Sequence, residues 1–551
     1  MSLRVEGLDA ELREPVVASI ALQKAIAGNE KNVGLLRRLH RRAPDEIRKA
    51  LQALGYYSPL IEADLDGEIP DAQASYRVQA GPPTLISAVD LQIEGDPGDE
   101  LQRVRKRLPV KVGERLVHSD YESAKTELLR AAYRNGYLDA ELLEHRLLVN
   151  PEQRSARIEL RLSTGPQYRF GPLTLEQEIL DEDVLLRYLE IEQGAIFDSQ
   201  KLVDARFRLT DLGYFSSIEV FADTDNAVDR EVPIRISAQA ASNARYRIGL
   251  GYGTDTGARL TTGASFKRIN RRGHRLNTDL RLSEVASRTS TEYVIPLGSE
   301  IGEQLGFSIE YSDQLIADID TRKFAVGTAL VRSPGDWQRQ LYLRFERELF
   351  DIDGDTQATN LLIPGLSLSR TRIDDPVRAR KGWSVFGDVH GAARNVGSDN
   401  GFIQGLLQAR LVFPLFERSR LLLRGESGGT IVESFSQLPP SQRFFAGGDQ
   451  SVRGYAYQSL GPRDENNNVI GGEYLLTGSA EIEVPVWGNW GAAVFADAGG
   501  TDDQPAPELS RSVGAGARWI SPIGTLQIDL AHPLDGDKRG VRLHVGIRVG
   551  L

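Results

Sequence analysis

From Ala244 onward the chain alternates, and this alternation constrains its fold more than any other feature. Ala244, Tyr246, Ile248, Leu250 and Tyr252 alternate with Arg245, Arg247, Gly249 and Gly251. Leu276, Thr278, Leu280 and Leu282 alternate with Arg275, Asn277, Asp279, Arg281 and Ser283, and Leu305, Phe307, Ile309 and Tyr311 with Gly306, Ser308 and Glu310. At the end Val541, Leu543, Val545, Ile547, Val549 and Leu551 alternate with Arg542, His544, Gly546, Arg548 and Gly550. Successive side chains of a strand point to opposite faces, so each run has one apolar face and one bearing charges and glycine. A soluble sheet would have to cover its apolar face, and no long helical segment remains in this half to do so. A barrel with an apolar exterior and a polar lumen accommodates both faces. A soluble β-sandwich or β-helix is the competing reading. Turn signals at Arg271-Arg272-Gly273-His274, Asp353-Gly354-Asp355 and Asp535-Gly536-Asp537 separate the runs. Residues 241–551 divide among fourteen, sixteen or eighteen strands at about 22, 19 or 17 residues per strand and loop. All three suit tilted strands of about 9–11 residues.

Composition removes several classes of function. The 551 residues include no cysteine, which excludes disulfides, zinc–thiolate sites, iron–sulfur clusters and thiol nucleophiles. A formal net charge of −11 argues against a nucleic-acid partner. At 40% apolar residues the chain can build a sizeable core. Mean hydropathy is −0.31, and no run of 18 apolar residues offers a transmembrane helix. A membrane β-barrel has the same low average hydropathy. Met1 to Gly7 shows no basic n-region and no apolar h-region, and we read the chain as a mature form whose signal peptide has been removed.

Patterns that suggest chemistry fail on context. Gly425-Glu426-Ser427-Gly428-Gly429 matches a nucleophile elbow, but it sits in an alternating region rather than at a strand–turn–helix junction. Asp351, Asp353 and Asp355 lack the glycine position and bidentate glutamate of a calcium loop. The seven histidines form no i, i+4 pair, and Gly249, Gly251 and Gly253 are strand glycines rather than a dinucleotide loop. No catalytic residue, metal site or cofactor is expected, and the chain reads as a non-enzyme.

The first 240 residues repeat. Leu54-Gly55-Tyr56, Asn135-Gly136-Tyr137 and Leu212-Gly213-Tyr214 recur about 80 residues apart. Each follows a helical pattern, Asp45 to Leu54 and Asp120 to Tyr133 for the first two, and precedes an extended run. Glycine at the helix end is the expected C-cap. Two units close on strands ending in Gly81-Pro82 and Gly165-Pro166, and the next strands open at Leu85 and Tyr168. The spacing predicts three β-α-α-β-β units over residues 1–82, 83–165 and 166–240, followed by the barrel over 241–551. These units resemble polypeptide-transport-associated (POTRA) domains. The resemblance implies a periplasmic arm that binds extended peptides by adding a strand to a sheet edge.

One connection breaks the barrel pattern. Residues 441–473 hold Arg443-Phe444-Phe445 and Val452-Arg453-Gly454-Tyr455, and an ordered loop of this length is usually functional. Val452-Arg453-Gly454-Tyr455 resembles the VRG[FY] signature of the BamA/TamA superfamily of outer-membrane assembly and secretion barrels. Phe495-Ala496-Asp497-Ala498-Gly499 resembles its partner Phe-x-Asp-x-Gly, and Ser479 to Pro485 the intervening strand. The resemblance implies a sixteen-stranded antiparallel transmembrane barrel with this loop folded into its lumen. It also implies an Arg453 paired with Asp497 and Glu481, beside Phe495 and Gly499. Three POTRA-like units resemble the TamA branch, the outer-membrane subunits of translocation and assembly modules. Gly251 to Gly257, Asn270 to His274, Trp519 to Gly524 and Ile528 to Ala531 resemble further segments of that branch, whereas the terminal Leu551 departs from the usual aromatic.

That branch implies insertion of outer-membrane proteins, autotransporters among them, in contact with outer-membrane lipids. It also implies a TamB-like partner anchored in the inner membrane. Gly249, Gly251 and Gly253 on the first barrel strand and Gly546 and Gly550 on the last lack side chains to pack, and are expected to leave a weak lateral gate. The alternatives are a two-partner secretion transporter, which usually has two POTRA units and a plug helix, and a plugged porin-like channel.

Overall fold

A computed structural model describes every residue except 70, 255, 299, 318, 353–354, 417, 523, 536–539 and 549–551. The chain divides into two compact units, one of residues 1–176, 190–207 and 219–237, the other of 177–189, 208–218 and 238–551.

The N-terminal part is built from three small mixed sheets, each with its closing strand in the centre. In the first, Gln73–Gln79 pairs in parallel with Ser2–Glu6 and antiparallel with Leu60–Asp66. The second repeats this arrangement with Ser155–Ser163 between Leu85–Glu94 and Glu141–Asn150. In the third, Glu231–Ala240 lies between Arg169–Glu176 and Phe215–Ala222. The second and third carry two helices each between their first and second strands, whereas the first carries three, Ala10–Ser19, Ala21–Ala27 and Val33–Ala53.

The first unit thus departs from the expected two-helix pattern, and its long helix begins at Val33 rather than Asp45. Pro44 looks like a helix start in sequence but lies mid-helix. An interior proline costs about 3 kcal/mol, and here Leu36 and Ala43 on one side of it and Ile47 and Leu51 on the other share one buried face. Asn32 caps the true start by accepting a hydrogen bond from the Leu35 N–H at 3.0 Å.

The recurring Gly-Tyr pairs close helices and join units. Gly55 and Gly136 have φ of +90° and +79°. Tyr56 N–H donates to Leu51 O and Gly55 N–H to Gln52 O, and Tyr137 and Gly136 donate equivalently to Ala132 and Tyr133. This is the Schellman geometry that favours glycine. The carbonyl of each glycine then accepts from the next unit's opening segment, Gly55 from Thr84 at 2.8 Å and Gly136 from Tyr168 at 2.7 Å.

The second unit is a barrel of sixteen strands running from Ala244–Gly253 to Arg542–Arg548, every neighbouring pair antiparallel and consecutive in sequence. Tyr246, Ile248, Leu250 and Tyr252 are between 66% and 84% exposed on the outer face, as the alternation requires. Inward-facing charges pair across strands, Arg247 with Asp279 at 2.8 Å and Arg288 with Glu310 at 2.5 Å. The turn at Arg271–Gly273 is held by the neighbouring segments of the same unit: Asp181 N–H donates to Arg271 O, and the Tyr214 hydroxyl to Gly273 O. No helix among the described residues is long and apolar enough to cross a membrane.

The connection between Ser419–Val432 and Tyr474–Trp487 runs from 433 to 473, starting before the sequence boundary at 441. It follows the eleventh strand and the Arg271 turn follows the second, so the antiparallel order places them on opposite rims. From its rim the loop turns inward. Leu438, Phe444, Ala446, Val452 and Arg453 are all buried.

Candidate functional site

Four consecutive strands, Tyr474–Trp487, Trp490–Asp502, Ser510–Ser521 and Gly524–Pro533, build the receiving wall. Their period of two turns Ser479, Glu481 and Glu483, then Phe495, Asp497 and Gly499, then Arg518, then Asp529, to the lumen. The register sets Ser479 opposite Asp497 and Glu481 opposite Phe495. Gly516 stands opposite Asp529, and a Cβ there would lie 1.8 Å from the Asp529 Oδ1, so only glycine leaves room for the carboxylate.

Arg453 reaches this wall from the loop, and every guanidinium N–H finds an acceptor. Nε donates to Asp497 Oδ2 at 2.7 Å and Nη2 to Asp497 Oδ1 at 2.9 Å. Nη1 donates to Glu481 Oε2 at 2.6 Å and to Asp529 Oδ2 at 3.1 Å. Nη2 also donates to Ser479 Oγ at 3.2 Å, and that hydroxyl donates to Asp497 Oδ1. Below the plane, the guanidinium carbon sits 3.3 Å from the Phe495 ring centre. Five donors satisfied by three carboxylates and a hydroxyl make a charge-assisted clasp in a confined space.

The clasp extends to a second layer. Arg518 donates to Glu481 at 2.8 Å and to Asp529 at 2.5 Å. Arg548 on the last strand lies 3.4 Å from Glu481 and 3.3 Å from Glu483, and Arg420 binds Glu483 at 2.7 Å, with Arg378 at its edge. Each of the four carboxylates therefore has a guanidinium of its own, which makes their burial tolerable.

The other motif residues fix the loop around this point. Val452 is fully buried, and its Cγ2 would lie 2.9 Å from a Cβ at position 499, so Gly499 makes its seat. Gly454 N–H donates to His544 Nε2 on the last strand at 3.0 Å. The Tyr455 hydroxyl lies 3.1 Å from the carbonyls of both Arg511 and Asp535. The structure thus brings Val452, Arg453, Gly454 and Tyr455 together with Glu481, Phe495, Asp497 and Gly499. Asp529, Arg518, Ser479 and His544 belong to the same constellation and were not singled out from sequence. Ser479 and Asp529 lie in segments that resemble the family's strands, but no role was assigned to them, and for Arg518 and His544 the signal was only an inward position in an alternating run.

The glycines expected to weaken a gate lie elsewhere. Gly249, Gly251 and Gly253 are on the first strand, where a Cβ at Gly251 would meet nothing within 4 Å. Gly546 is on the last strand, 3.6 Å from the Asp449 carboxylate by the same measure, and Gly550 lies outside the described residues. Among the described residues no ladder joins Ala244–Gly253 to Arg542–Arg548, although their Cα atoms approach within 8 Å. Both clasp links to the seam, His544 and Arg548, are on the last strand.

POTRA sheets preceding a sixteen-stranded barrel, with an arginine loop clasped inside it, define a class of membrane barrel protein. The Omp85 superfamily domain matches residues 256–549, and the chain belongs to that superfamily. The POTRA domain described as TamA domain 1 matches residues 2–80, and the POTRA family described as surface antigen variable number repeat matches 168–237. The outer membrane protein assembly factor BamA of Nitratidesulfovibrio vulgaris is 24% identical over 515 residues, covering 88% of this chain and 64% of its own length. BamA of Neisseria meningitidis is 23% identical, covering 81% of this chain and 64% of its own. The chain therefore spans a little under two thirds of these relatives. The crystal structure of BamA from Haemophilus ducreyi lacking POTRA domains 1–3 superposes with a TM-score of 0.72 at 18% identity, covering 84% of this chain and 98% of that one.

Proposed function

We propose that this protein inserts and assembles other outer-membrane proteins, without enzymatic chemistry, from the bacterial outer membrane with its POTRA domains in the periplasm. The observation that carries this reading is the seam. Among the described residues fifteen neighbouring strand pairs are laddered, while the first and last strands stand at the two ends of the order with no ladder between them. An unpaired strand edge is a template for another strand. The last strand is tethered to the clasp through His544 and Arg548, so the first strand is the side that moves. The clasped loop occupying the lumen disfavours a wide passive pore.

The test uses the absence of native cysteine. One cysteine introduced in Ala244–Gly253 and one in Arg542–Arg548 are oxidised to lock the seam. The locked protein in liposomes is expected to stop accelerating insertion of a client barrel, and reduction to restore it. Equal insertion in both states overturns the gate.

Within the superfamily we assign the chain to the TamA-like branch, working with a TamB-like partner anchored in the inner membrane and on clients that include autotransporters. The TamA domain 1 match over residues 2–80 supports this assignment. Deletion of residues 1–80 is expected to abolish binding of that partner, and retained binding refutes the assignment.

A further inference from the structure

Beside the seam the lumen contains a cavity of about 470 Å³, within the range of about 300–1,000 Å³ typical of small-ligand sites. Both sides of the seam contribute to it, Thr256 and Arg259 next to the first strand and His544 and Arg548 from the last, while Arg410 and Arg424 complete its wall. Arg410 and Arg424 are directly opposed on adjacent strands, a like-charge arrangement that destabilises a sheet unless an anion is shared.

The clasp does not relieve this excess, because each of its carboxylates already has a guanidinium. Among the described residues of the cavity wall, Arg259, Arg410 and Arg424 face one carboxylate outside the clasp, Asp449. Arg259 makes no ion pair with a described residue. The wall also holds Gln527, whose Oε1 accepts from Arg548 at 3.2 Å while its buried Nε2 has no partner among the described residues. Donors therefore outnumber acceptors. Arg424 Nη2 donates to Ser451 O at 2.8 Å, but the Arg259 fork and the Gln527 amide have no such partner among the described residues, and guanidinium forks match the oxygens of phosphate.

We propose that this cavity binds a phosphate group, either as a free anion or carried on a lipid headgroup drawn in at the seam. The site needs only the barrel, and stands or falls separately from the assembly reading.

The experiment uses the purified full chain in a phosphate-free maltoside detergent. Radiolabelled orthophosphate in equilibrium dialysis probes the free anion, and phosphatidic acid counted by native mass spectrometry probes the headgroup, with oleate as a carboxylate control. About one phosphate-bearing species per barrel is expected, with oleate bound at least roughly tenfold more weakly. Phosphatidic acid displaced by orthophosphate supports the site as one for the soluble anion, and phosphatidic acid that resists displacement supports it as a headgroup site. Arg259→Gln together with Arg410→Gln should weaken retention at least roughly tenfold. Arg259→Gln alone removes no ion pair with a described residue, and should weaken retention measurably even if the double variant fails to fold. Retention unchanged in folded Arg259→Gln, or oleate held as tightly as phosphatidic acid, overturns the proposal.

Discussion

Arg453 and Asp497 are joined three times: Nε and the backbone N–H of Arg453 both reach Oδ2, at 2.7 and 3.1 Å, and Nη2 reaches Oδ1 at 2.9 Å. The pair fixes the orientation of a side chain and the path of the backbone that carries it. Arg453→Ala would leave the buried Asp497 without a guanidinium and take one of several from Glu481 and Asp529, and removing one partner of a buried pair costs about 3–5 kcal/mol. Amide exchange at 449–455 should accelerate by at least about a hundredfold, and the 433–473 loop should become open to protease. Arg453→Lys keeps the charge without the fork and should recover only part of the protection. Unchanged exchange in Arg453→Ala would show that the loop is held by something else.

Gly516 makes a sharper test of the wall. A Cβ there would lie 1.8 Å from the Asp529 Oδ1 and 2.6 Å from the Ile528 carbonyl. Gly516→Ala must displace the carboxylate that Arg453 and Arg518 share, with an expected destabilisation of about 1–3 kcal/mol. Gly540→Ala, where nothing lies within 4 Å, should leave thermal unfolding of the barrel unchanged. Equal unfolding temperatures for the two variants would contradict the packing described.

The barrel was legible in the sequence because period two leaves its mark on every strand, as Tyr246 to Tyr252 and Leu305 to Tyr311 show. Arg453 and Asp497 were legible only because their motifs resemble known ones. Asp529 and Arg518 were not. Each is simply an inward charge in an alternating run, and which inward charges meet depends on register accumulated over four strands. The helix start at Val33 was hidden by Pro44, whose local preference lost to burial of Leu36 and Ala43. Alternation does not mark the seam, since an edge strand and an interior strand alternate alike; the sequence pointed to that place only through the glycines of the first and last strands.

Between the first two POTRA sheets, His118 Nε2 lies 2.6 Å from the Tyr57 hydroxyl. Burial lowers the His118 pKa from its ordinary value, only partly opposed by Glu122. The unfolded chain therefore takes up the proton first, near pH 6.5. Stability from this joint is complete above about pH 6.5 and is lost as pH falls toward the depressed native value. Exchange in the helix His118–Arg134, corrected for intrinsic chemistry, should rise between about pH 7.5 and 5.5. His118→Gln should flatten that component. A pH response that survives in His118→Gln would assign it to another group, with His40 the first to examine because burial lowers its pKa too.

The loop has a second hold, ahead of the motif. Gln442 Nε2 donates to Glu346 Oε2 at 2.9 Å, its carbonyl accepts from Gln404 at 2.7 Å, and its Oε1 lies 3.1 Å from His390 Nε2. Ser441 beside it donates through its hydroxyl to Glu348. These partners sit on the wall formed by Gln338–Ile352, Gly382–Ala392 and Phe402–Leu415, apart from the strands that hold Arg453. Two separate anchors on one chain segment should fail separately. Gln442→Ala leaves the Glu346 carboxylate without a neutral donor, at a cost of about 1–3 kcal/mol. It should raise exchange around 438–446 while 449–455 stays protected, and Arg453→Ala should do the reverse. The double variant should release both stretches by about the sum of the single effects, because the anchors share no residue. If Gln442→Ala alone releases 449–455, the loop moves as one rigid piece and the two anchors are one.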